Sequence, residues 1–173
     1  GSIPTRFRQR IIVIRIILMN FKAIERRFLV KNFNFIKLEK SLYIKQAYLK
    51  IEENYALRIR IVSNASYITL KRMDSGITRQ EFEFPISMNV ANYLITNYLV
   101  GSIINKKRYI VKYDNMMWEI DEFFGDNEGL VIAEIELEHE RQEIIKPNWI
   151  GQEISTEHKY LNCNLAIAPF NSW

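Results

Sequence analysis

Like-charged side chains recur two residues apart along this chain. Arg58 and Arg60 alternate with Leu57, Ile59 and Ile61, and Glu81 and Glu83 alternate with Phe82 and Phe84. Lys106 and Arg108 flank Lys107, Glu119 and Asp121 flank Ile120, and Glu134 and Glu136 alternate with Ile135 and Leu137. Glu25 and Arg27 share the spacing with opposite signs, and Lys71 closes the run Tyr67-Ile68-Thr69-Leu70-Lys71. On a strand, residues i and i+2 point to the same face. A sheet with one solvated face accounts for such alternation on any single strand. The set fits that reading less well, because like charges on one strand face repel unless opposite charge lies between them. Turned inward in a closed barrel, these residues would make a lumen with acidic and basic zones. Carboxylate oxygens suit hard dications such as Mg²⁺ or Mn²⁺, and arginine forks match phosphate oxygens. The chemistry of such a lumen is metal-assisted binding of a polyanion.

The elements that would carry these pairs are short and alternating. Strands are predicted at Ala23–Val30, Tyr43–Ile51, Ala56–Ser63, Tyr67–Met73, Ile77–Phe84, Ile103–Asp114, Met116–Phe123 and Leu130–Glu138. Turn residues separate several of them: Asn64-Ala65-Ser66, Asp74-Ser75-Gly76, Asp114-Asn115 and Gly125-Asp126-Asn127. One helix is predicted mid-chain, after Pro85 and before Gly101, with Ser87 as cap and Val90, Ala91, Leu94 and Ile95 as its apolar stripe. Short helices are predicted at Asn148–Ile154 and Lys159–Ala166. This pattern is mostly β, an antiparallel barrel or sandwich with helices added.

The chain has 173 residues, 48% of them hydrophobic, enough for one domain with a core. Its net charge of +4 sits in one place. Residues 1–18 carry Arg6, Arg8, Arg10 and Arg15 and no acid; 24 basic residues less these four leaves 20, matching the 20 acidic ones. The rest is neutral overall, which argues against a nucleic-acid partner. Gly1-Ser2 reads as a tag remnant and Met19 as a native start. Residues 1–18 are therefore read as remnant or misassigned upstream sequence, and 19–173 as the domain. The run Ile11–Met19 is too short to span a bilayer and contains Arg15, so no membrane partner is expected. The lone Cys163 forms no internal disulfide and reads as a small core residue, and a cytoplasmic setting fits. His139 and His158 read as surface or packing residues.

The succession IERRFLV, LRIR, YITLK, GITRQEFE, KKRY, WEIDEF, GLVIAEIELE and YLNCNLA resembles the CYTH superfamily, the triphosphate tunnel metalloenzymes, over about Phe21 to Phe170. The likeness is to its short, single-domain bacterial members. It implies a closed eight-stranded antiparallel tunnel with a few packed helices that binds a triphosphate and divalent metals, Mg²⁺ or Mn²⁺. Carried over by position, Arg27, Arg58, Arg60, Lys71, Arg79, Lys106 and Arg108 would grip phosphate, with Lys159 a weaker match. Glu25, Glu81, Glu83, Glu134 and Glu136 would hold metal. The implied catalytic positions are Glu119, Asp121 and Arg27, the two carboxylates orienting ligands or the attacking water. Dimers are common in the family, so a homodimer is implied.

Two positions depart from the family's E-x-E-x-K signature. Ala23 stands where a glutamate is expected, and Arg27 where a lysine is expected. Arg27 keeps the charge but stays protonated and cannot act as a base. The function implied is metal-dependent hydrolysis of a triphosphate, with inorganic tripolyphosphate first among substrates. The alternatives are a catalytically impaired triphosphate or polyphosphate binder, an adenylate cyclase, or a nucleoside or thiamine triphosphatase.

Overall fold

Residues with period-two alternation bury one side chain in two, and a sheet satisfies both faces when it rolls into a barrel. The structure, a computed structural model, describes residues 22–38, 40–73 and 77–173. Its strands are β1 (Lys22–Val30), β2 (Ser41–Ile51), β3 (Tyr55–Val62), β4 (Ala65–Met73), β5 (Thr78–Ile86), β6 (Val100–Tyr113), β7 (Met116–Phe124), β8 (Val131–Leu137) and β9 (Ile150–Glu153). Its α-helices are α1 (Met88–Tyr98) and α2 (Asn162–Ile167). The expectations for residues 1–18 and for the turn at 74–76 fall outside the described residues.

Eight strands pair antiparallel in the order β5-β4-β3-β2-β6-β7-β8-β1, and β1 closes the ring on β5. The expected closed eight-stranded barrel is therefore present, with β9 added. The β6–β7 hairpin turns at Asp114 and Asn115, both with positive φ (46° and 61°), the backbone that a tight two-residue hairpin demands. Closure is short. β5 covers β1 only from Lys22 to Ile24, and β9 takes over the same edge at Phe28 and Val30. β8 holds the other edge of β1 from Ile24 to Leu29.

This seam corrects one expectation. Residues Asn148–Ile154 were predicted to be a short helix, but they carry β9. The backbone of β1 beyond Ile24 needs partners, and a buried edge satisfies them best with a strand. The Arg26 guanidinium fixes the pairing by donating to both Glu153 oxygens, Nε–Oε1 at 2.8 Å and Nη2–Oε2 at 2.5 Å. Local propensity carries no trace of that distant demand.

The apolar face of the barrel is its outside. Phe28, Trp118 and Trp149 stack edge-to-face, with centroids 5.8 and 5.5 Å apart, and Tyr109, Ile120, Ile135 and Ile36 complete this core. Helix α1 lies against β2, β3 and β4. Ser87 caps it by accepting from the Val90 amide. Of the predicted stripe, Ala91 is buried and Leu94 and Ile95 half-buried, while Val90 is 47% exposed and turns outward.

A second core closes one end of the lumen. There Tyr48, Ala56, Ile104, Phe123 and Ile132 from the strands meet Leu165 and Ala166 of α2. The helix predicted at Lys159–Ala166 divides at Leu161 into a 3-10 turn (His158–Tyr160) and α2. Gly101 lets α2 sit this close to β6. Its φ is +71°, and a Cβ there would collide with the Ala166 carbonyl oxygen. Among the described residues no helix is long and apolar enough to cross a membrane.

Candidate active site

The inward face of the barrel holds the charged pairs. β3 brings Arg58 and Arg60, β4 brings Lys71, and β5 brings Glu81 and Glu83. Arg58 lies 3.4 Å and Lys71 3.0 Å from the Glu81 carboxylate. Arg60 lies 2.5 Å from Glu83, which also accepts from Thr69 Oγ1 at 2.8 Å. The Glu81 carboxyl is buried, which alone would raise it, yet Lys71 and Arg58 hold it well below the usual carboxylate range.

Opposite this wall stand β6, β7 and β8. Lys106, wholly buried, lies 2.5 Å from Asp121. Arg108 donates to Asp121 through Nε and Nη2, both at 2.7 Å, to Glu134 at 3.0 Å, and to Glu119. Burial works against the Asp121 carboxylate, but Arg108 and Lys106 hold it well below its ordinary range. Burial draws the Lys106 ammonium down, opposed by Asp121. Buried pairs such as these are weak evidence of stability, but removing one partner strands a charge at a cost of about 3–5 kcal/mol. They fix the cations in place.

The structure arranges these side chains differently from the expected separate acidic and basic zones. Cations and anions interleave. Glu81, Glu83 and Asp121 spend their oxygens on arginine, lysine and threonine. Among the described residues no group of three or more metal-ligating side chains is gathered at binding geometry. The remaining carboxylates lie on β1, β7 and β8. Glu25 stands directly across from Glu136, and Glu119 across from Glu134. Like charges in register destabilise a sheet unless a cation lies near. The Glu119 side chain keeps 44% of its surface exposed, so only partial desolvation pushes its carboxyl up, with Glu134 and Asp121 adding to the rise against the pull of Arg108. Burial also acts to raise Glu25, but Lys71 and Arg79 outweigh it and leave it lowered. The chemistry of these four carboxylates fits a hard dication.

The cations also have unmet capacity. The Nε atoms of Arg27, Arg58 and Arg60 are buried without a hydrogen-bond partner. A buried unpaired donor costs about 1–3 kcal/mol, and a bound phosphate oxygen would remove that cost. Arg79 stands on β5 opposite Ala23, which is 2% exposed. Lys159 is not brought into the lumen. It is exposed, with its ammonium over the rings of Tyr160 and Trp173 at 5.0 and 4.6 Å.

Sequence reasoning missed Gln46, Tyr48 and Thr69. Gln46 is 2% exposed, lies across from Arg60 and Ile104, and its Oε1 has no partner. Tyr48 lies across from Arg58, and burial pushes its phenol up. The signal for Gln46 was present: Ile44, Gln46 and Tyr48 share a face, and one amide between two apolar side chains breaks the alternation.

Comparison with known proteins places this geometry. The model of the CYTH domain matches residues 22–164. An inorganic triphosphatase of Acetivibrio thermocellus is 37% identical over 152 residues, covering 88% of this chain and 97% of that protein. An inorganic triphosphatase of Nitrosomonas europaea is 32% identical over 149 residues, covering 84% and 97%. Among solved structures, that of the inorganic triphosphatase NE1496 superposes with a TM-score of 0.61 at 29% identity, covering 84% of this chain and 94% of that one. The PH1012 protein from Pyrococcus horikoshii, with a TM-score of 0.52 at 22% identity, shares the fold.

Proposed function

The chain belongs to the CYTH domain family, and from that premise we propose that it hydrolyses a phosphoanhydride bond of inorganic tripolyphosphate inside the tunnel with a divalent metal. The observation that carries this reading is the set of buried arginine Nε atoms without partners, Arg27, Arg58 and Arg60, inside a lumen closed at one end by apolar side chains. Such donors suit an anion with many oxygens.

The roles follow from charge and position. Arg58, Arg60, Lys71, Arg79, Lys106 and Arg108 neutralise and align the phosphate chain, so that water approaches a less repulsive centre. Glu81, Glu83 and Asp121 aim those cations through the contacts described above. Glu25, Glu119, Glu134 and Glu136 would hold the metal, Mg²⁺ or Mn²⁺ by the hardness of their oxygens. Bound there, the ion supplies Lewis-acid neutralisation of phosphate oxygens and a more acidic water. As one of these ligands, Glu119 would orient the attacking water. The names of the two inorganic triphosphatase relatives support the inorganic substrate.

A second reading is a triphosphate binder with impaired catalysis. It is favoured by Ala23 in the signature and by the absence, among the described residues, of a preassembled cluster of metal ligands. Phosphate release from tripolyphosphate, ATP and thiamine triphosphate with Mg²⁺ or Mn²⁺ separates the two. Tripolyphosphate should turn over fastest. Release at background with both metals, while tripolyphosphate still raises the melting temperature, would favour the binder.

A further inference from the structure

Arg27 does not sit in the tunnel as a free phosphate clamp. It lies where β1 has left β5 and β9 has just taken the seam, and it is 3% exposed. Both its backbone and its side chain are given to the segment that follows β9. Its amide donates to Ser155 Oγ at 3.0 Å, and its carbonyl accepts from the Ile154 amide at 2.8 Å. Its guanidinium donates through Nη1 to the Tyr160 carbonyl at 3.2 Å and through Nη2 to the Ser155 carbonyl at 3.4 Å. The third guanidinium nitrogen, Nε, is buried and unpartnered. The held carbonyls lead directly into α2, whose Leu165 and Ala166 plug the apolar end of the lumen.

Lysine could not make this arrangement. An ammonium is a single point of charge, whereas a guanidinium presents separate donors in a fixed plane. Two of those donors already span carbonyls five residues apart, which pins the plane and fixes where Nε must point. The side chain therefore ties β1 to the segment that leads into α2.

We propose that Arg27 couples occupancy of the tunnel to closure of the C-terminal segment, its Nη atoms holding the carbonyls of Ser155 and Tyr160 while its Nε takes a phosphate oxygen. This inference rests on the triphosphate reading of the tunnel. A phosphate oxygen on Nε would satisfy a donor that the latched geometry leaves buried and unpartnered, so ligand binding stabilises the latch. Plug and substrate then stabilise each other reciprocally.

Hydrogen exchange of the amides in residues 155–167 tests the coupling, with calorimetry recording binding separately. The full-length protein is measured with and without tripolyphosphate under EDTA, so that no turnover intervenes. The unmodified protein should bind tripolyphosphate and exchange these amides roughly tenfold more slowly when it is bound. Arg27→Lys should still bind but lose most of that slowing. Bound tripolyphosphate that leaves exchange in the unmodified protein unchanged overturns the coupling and leaves the triphosphate reading standing, whether or not the variant folds. Equal slowing in Arg27→Lys does the same. Absence of tripolyphosphate binding, with or without Mg²⁺, overturns both.

Discussion

Ala23 is where residue chemistry and family pattern part. It is buried on the inner face of β1, two residues before Glu25 and directly across from Arg79. A glutamate there would add a carboxylate beside Glu25, and Arg79 would offset part of the cost of burying it. Metal affinity rises with the number of anionic ligands. Ala23→Glu should therefore lower the Mg²⁺ concentration that half-saturates tripolyphosphate hydrolysis by roughly tenfold. An unchanged or higher requirement would mean that the position does not face the metal. At this scale the sequence was informative about which residues enter the lumen and less so about what each one does there. Period-two spacing put Arg58, Arg60, Glu81, Glu83, Arg108 and Asp121 on inner faces. It could not show that Glu81 binds Lys71, or that Asp121 binds Lys106 and Arg108, because those partners come from neighbouring strands.

Among the elements, β1 through β8 were legible because each has its own alternation and its own turn residues. The C-terminal elements were not. β9 forms because β1 has an open edge, and α2 is positioned by a glycine far upstream of it, Gly101. Gly101 meets two demands at once, a left-handed φ and a backbone contact with Ala166. Gly101→Ala should therefore destabilise the fold by more than the ~1 kcal/mol that a left-handed alanine costs alone, because α2 must also move. Urea unfolding would measure this. A loss below that figure would show that α2 shifts freely and that the plug is loosely held.

For the whole molecule, the decisive feature is which way the sheet turns its charges. In an open sheet they would face water, and each strand would look the same in sequence. Closure makes them a lining and puts Trp118, Phe28 and Trp149 outside as a core. That inversion could not be read from any one strand. It showed only in the set, where like charges repeat on separate strands and require opposite charges between them. The molecule supplies those opposite charges by interleaving, and it leaves buried arginine donors unmatched.

Arg60 gives the most direct test that this lining is the active site. Its Nε lacks a partner, and Glu83 keeps the Thr69 hydroxyl when the arginine is lost, so the barrel should survive Arg60→Gln. The measurement is kcat/KM for tripolyphosphate with saturating Mg²⁺, with circular dichroism confirming the fold. A preorganised cation in a water-poor site stabilises developing charge by about 3–4 kcal/mol, so Arg60→Gln should lose roughly 10²- to 10³-fold. A folded Arg60→Gln protein that hydrolyses tripolyphosphate as fast as the unmodified chain would contradict it.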